Sequence, residues 1–115
     1  MAYDEQLAAR VREVLAPEGP VVEKRMFGGL AMLVGGHMAV CVSGRGGLLV
    51  RVGDDATGDA LIAADPDHVH PMEMGRQSSR SWLQVDAPAL AGEEELAAWV
   101  GRGLAVVRTL PPKRP

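Results

Sequence analysis

Between residues 21 and 52 the chain alternates short apolar runs with glycine pairs, a spacing that leaves no room for a helix. Gly28-Gly29, Gly35-Gly36 and Gly44-Arg45-Gly46-Gly47 separate runs of five to seven residues. Glycine inside a helix costs about 1 kcal/mol relative to alanine, whereas in a tight turn it reaches positive φ without strain. Short runs joined by such turns predict an antiparallel meander. The strands expected are residues 21–27, 30–34, 37–43 and 48–52. In the first, Glu23, Lys24 and Arg25 mark an exposed section. The second is wholly apolar and reads as central. In the third, Met38, Val40 and Val42 are expected on one face, by the period of two. In the fourth, Leu48, Val50 and Val52 face together and Arg51 faces away.

Helical periodicity brackets this stretch. Leu7, Val11, Val14 and Leu15 form a stripe over residues 4–16, with Asp4 as N-cap and Pro17 as terminator. A second, shorter helix is expected over residues 55–64, capped by Asp54 or Asp55, although Gly58 weakens it. Residues 68–74 and 81–86 then read as two more strands, with residues 75–80 as a polar loop. Leu96, Trp99, Val100, Leu104 and Val107 define the closing helix over residues 92–108. Glu93, Glu94 and Glu95 suit the positive end of its dipole. Gly103 lies on its apolar face, where it permits close approach to a sheet. The expected fold is α+β in two layers, a single antiparallel sheet with helices on one face. One domain is expected over residues 1–115, with a core at 4–108 and a tail at 109–115.

Composition narrows function mainly by exclusion. The 115 residues carry a net charge of −3, and the basic excess of a dedicated nucleic-acid binder is missing. Direct nucleic-acid binding is therefore not expected. Cys41 is the only cysteine, so no internal disulfide or cysteine cluster forms. The acidic start lacks a signal-peptide pattern, and no apolar run approaches the ~18 residues needed to span a bilayer. A cytoplasmic protein without a membrane partner is expected.

No set of residues makes a convincing catalytic group. Cys41 and His37 would lie about 13 Å apart along a strand at ~3.3 Å per residue, too far for thiol activation. Cys41 is instead expected as a small core hydrophobe. Ser78, Ser79 and Ser81 lack a nucleophile elbow, and Asp54, Asp55 and Asp59 are explained by capping and solvation. Lys24, Arg25, Arg45, Arg51, Arg76 and Arg80 would form an anion patch only if the fold gathered them. The sharpest ligand alternative is His68, His70, Met72 and Met74, whose imidazoles and thioethers suit a soft ion. Against it, Pro71 interrupts the strand, and the outer two residues stand roughly 20 Å apart. No metal or other cofactor is expected, and the competing expectation is an edge strand with its Met face packed inward.

Met26-Phe27-Gly28-Gly29 closes the first strand, and its glycines are expected to serve the backbone. With the apolar strand, the glycine turn and the Met-containing strand that follow, this motif resembles the N-terminal domain of the TfoX/Sxy family. Leu48-Leu49-Val50-Arg51-Val52, Asp54-Asp55, Ser81-Trp82-Leu83-Gln84-Val85, Pro88, Trp99 and Arg108 continue the resemblance in order, over roughly residues 5–108. The resemblance implies a secretion-chaperone-like fold, with three or four strands between the first two helices and two before the last. It also implies a link to competence regulation, in which the longest members act as transcriptional coregulators, and it brings no catalytic residues. Two departures stand out. Residues 67–74 replace an aromatic-rich segment, and the chain stops after the closing helix, where a C-terminal helical domain is expected in full-length regulators. The function expected is a non-enzymatic binding or regulatory module working by protein–protein contact, with a homodimer among its partners. Metal or small-ligand binding through residues 68–74 and a nucleic-acid-linked role are the alternatives.

Overall fold

The computed structural model describes residues 3–26, 28–74 and 77–111, without the side chains of Met74 and Gln77. Helix α1 spans Glu5–Leu15 and is followed by a 3₁₀ turn at Ala16–Glu18. Asp4 caps it in extended conformation, accepting from the backbone N–H groups of Gln6 and Leu7 at 2.9 and 3.1 Å. Four strands follow: β1 (Val22–Met26), β2 (Gly29–Val34), β3 (His37–Val42) and β4 (Leu48–Arg51). Helix α2 (Asp55–Ala64), strands β5 (Val69–Met74) and β6 (Gln77–Val85), and helix α3 (Glu93–Val107) complete the order. These elements form one sheet of order β1-β2-β3-β4-β6-β5, and every neighbouring pair is antiparallel. The α+β expectation holds, with four strands in the first group.

The helices share one face of the sheet. Leu7, Val11 and Leu15 of α1 and Leu96, Val100 and Leu104 of α3 join Leu30, Met32, Val40, Leu48, Val50 and Leu83 in one cluster. Leu61 and Ile62 of α2 pack against the same cluster. Two helical glycines set how closely this layer approaches. A Cβ on Gly103 would overlap the carbonyl oxygen of Ala39, and one on Gly58 the carbonyl oxygen of Arg80. The residue that weakened the α2 expectation is thus the one that lets α2 lie directly on β6.

Two expectations are corrected. Residues 77–80 are strand, not loop: Met74↔Gln77, Glu73↔Ser78 and Met72↔Ser79 pair in a hairpin with β5. Polarity misled there because this end of the hairpin is exposed, so its residues need no apolar alternation. Met38 does not share a face with Val40 and Val42. The β2–β3 register shifts between Met32 and Leu33, so Met38 pairs with Leu33 on the face away from the helices. A bulge inserts one residue and reverses the facing beyond it.

Candidate functional site

The face opposite the helices carries an apolar cluster of its own. Ala31, Cys41 and Leu49 form its floor, from the adjacent strands β2, β3 and β4. Ala31 and Cys41 are fully buried although no helix covers them among the described residues. Their cover comes from half-buried Leu33, Met38 and Met72. Directly paired residues share a face of an antiparallel sheet. The pairs Val22↔Leu33 and Lys24↔Ala31 therefore extend the surface onto β1, where Val22 is 53% and Met26 37% exposed. The pair Arg51↔Trp82 extends it the other way, with the Arg51 guanidinium 5.1 Å from the centre of the Trp82 ring. The charged strand residues that this pairing puts on the open face, Lys24 and Arg51, are both cations.

The motif Met26-Phe27-Gly28-Gly29 borders this surface, although Phe27 falls outside the described residues. Met26 is the exposed end of β1. Gly28 has φ of 71°, a conformation that side chains disfavour. A Cβ on Gly29 would collide with the carbonyl oxygen of Val42, so the turn lies flat on the neighbouring strand.

The structure disperses the other candidates. His70 and Met72 lie on β5, and His68 precedes it; the Met74 side chain is outside the described residues. His68 Nδ1 lies 3.1 Å from Asp65 Oδ1, and His70 Nε2 lies 2.8 Å from Asp86 Oδ2. Each imidazole thus faces its own carboxylate, and the β5–β6 register shifts between Pro71 and Met72. Among the described residues no three His, Cys, Asp or Glu side chains gather as a metal group. Met72 packs on the open face and not beneath the helices, a correction to its expected inward packing: it stands two positions from His70, whose partner Gln84 also pairs with Leu49 of that face.

Cys41 lies beneath the outer cluster, where burial pushes its thiol up to about 11, against the direction a nucleophile needs. His37 contacts the Pro111 carbonyl, 2.7 Å away, not Cys41. Ser79 and Ser81 hydroxyls bond each other at 3.0 Å. Among the cations, Arg80 is committed to Asp55 and Asp59. Lys24 and Arg25 lie on the far edge strand, so the described basic residues do not converge. A concavity of about 570 Å³ opens between the start of α2 and the end of α3, lined by Val52, Leu61, Arg102, Val106 and Leu110 among others.

Sequence reasoning missed the open face as a unit. The signal was present in residues 30–34, which are apolar without alternation. Such a run marks a strand buried on both faces, and a single layer of helices covers only one of them.

Three helices on one face of a six-stranded antiparallel sheet, with an apolar and cationic surface on the other, define a small α+β module. A model of the TfoX N-terminal domain matches residues 13–107, and the chain belongs to that family. No curated protein and no solved structure matches it significantly. No helix among the described residues is long and apolar enough to cross a membrane.

Proposed function

We propose that this domain is a non-enzymatic regulatory module that captures a protein segment on the open face of its sheet. The observation that carries the reading is the second apolar cluster, with Ala31 and Cys41 fully buried and Leu33, Met38 and Met72 half-buried above them. Exposed Val22 and Met26 enlarge it at one side. A contiguous apolar surface of this kind is a usual mark of a protein contact. Lys24 and Arg51 select the partner's chemistry: apolar side chains flanked by carboxylates. The family's regulatory association supports a binding role, and the buried, protonated Cys41 thiol offers no nucleophile in its place.

The test is capture from native lysate by wild-type protein and by a Leu33→Ser/Met38→Ser variant. Both residues are only half-buried, so the variant is expected to keep its thermal transition while losing the captured species. Lys24→Glu and Arg51→Glu are expected to weaken capture, with the wild-type interaction declining as salt rises. An identical captured set from wild type and the double variant, both folded, would overturn the reading.

A further inference from the structure

The two edges of the sheet are built differently. Strand β5 ends one side, and it carries Pro71, which has no N–H to donate, beside a register shift at Met72. Strand β1 ends the other side; it pairs with β2 through five consecutive positions without proline or bulge. Its second edge therefore presents unpaired backbone donors and acceptors, the template on which another strand pairs. All five of its residues are exposed, including the chain's two exposed large hydrophobics among those described, Val22 and Met26.

The order Val22-Glu23-Lys24-Arg25-Met26 is complementary to itself when reversed. Placed antiparallel to a second copy with Lys24 on the two-fold axis, Val22 meets Met26 and Glu23 meets Arg25, each pair twice. The neighbouring registers lose this match. Shifting one way puts Glu23 opposite Glu23, and shifting the other way puts Arg25 opposite Arg25. Registers displaced by a single residue would join opposite faces of the two sheets and break the two-fold symmetry. Arg25 makes no ion pair among the described residues. Glu23 already accepts two bonds from Arg12, at 2.7 and 2.9 Å, and is thereby held in place on the helical side of the strand. One mismatch remains: the two Lys24 side chains face each other on the open side.

We infer that the domain pairs with a second copy of itself through the free edge of β1, in the register that sets Val22 against Met26 and Glu23 against Arg25. The product is a continuous sheet whose two open faces lie on the same side, so the apolar surface runs across the axis. Five residues of pairing per copy form a small interface, in the weak and reversible class. This inference does not depend on the capture of another protein by the open face.

Sedimentation velocity up to high-micromolar concentration tests it with charge-reversed full-length protein. Arg25→Glu and Glu23→Arg each place two like charges opposite each other and are expected to weaken the wild-type dimer roughly tenfold. An equimolar mixture of the two variants restores both complementary pairs and is expected to regain wild-type association as a heterodimer. Lys24→Thr removes the axial repulsion and is expected to tighten the dimer. A wild-type chain that stays monomeric, a mixture no more associated than its components, or a Lys24→Thr variant that dimerises less would each overturn the inference. Thermal melts of every variant separate these outcomes from misfolding. Leu33→Ser/Met38→Ser is expected to leave the dimer within about threefold of wild type, since both residues lie on strands inside β1 and leave its free edge and the Glu23–Arg25 pairs intact; capture and pairing therefore fail separately.

Discussion

At the scale of single residues, two titrating groups report on two different surroundings. Cys41 is fully buried under Leu33 and Met38, and its thiol is raised from 9.0 to about 11 because a thiolate there would lose its hydration. A raised folded value means that the unfolded chain ionises first. The stabilisation from the neutral thiol is complete below pH 9 and drains away as pH climbs toward 11. Cys41→Ala is expected to lack this part of the alkaline slope, read as urea midpoints at about pH 8.5 and 10.5. Asp54 behaves oppositely. Its carboxylate accepts from the Thr57 backbone N–H at 2.7 Å, which holds it below its ordinary 3.8. The cap therefore stabilises above the ordinary carboxylate range and is lost as pH falls through it. Asp54→Ala is expected to lower the melting temperature at neutral pH, with the difference closing as pH drops below about 4.

At the scale of elements, steric fit overrides propensity. Gly101, Gly103 and Gly58 all lie within helices, and propensity alone favours alanine at each by about 1 kcal/mol. At Gly101 nothing lies within contact of a new Cβ, so Gly101→Ala is expected to stabilise by up to about 1 kcal/mol. At Gly103 and Gly58 the site of the Cβ is occupied by a strand carbonyl, and substitution is expected to destabilise by about 1–3 kcal/mol. Urea denaturation of the three variants checks the reversal of sign. Gly103 was legible in the sequence because it falls among Leu96, Trp99, Val100 and Leu104 on one helical face. Gly58 was not, since its neighbour is the backbone of Arg80, in a stretch whose serines read as loop. Met38 was misplaced for a related reason: a bulge reassigns faces without leaving any mark in composition. Periodicity reports what a side chain contributes, and these three features belong to the backbone.

At the scale of the whole molecule, the sheet is protected from the centre outward. Strands β3 and β4 lie between paired neighbours, with α3 on one face and the outer cluster on the other. Their amides are expected to exchange slowest with solvent deuterium, and those of β1 and of the Gln77 end of β6 much faster. Equal protection across all six strands would contradict this layering. The helix–sheet arrangement was readable because each helical stripe needs one apolar partner. The open face was not, because its residues come singly from separate strands and meet only once the register is known. The unequal edges of that sheet bear on polymerisation. A strand able to recruit its own copy is ordinarily a hazard, since each addition offers a fresh end for the next. The inferred pairing about a two-fold axis would consume both β1 edges and leave as outer margins the β5 strands, interrupted by Pro71 and the shift beside it. In the inferred dimer growth would be capped at two copies, which would let the chain keep an adhesive edge without forming fibres.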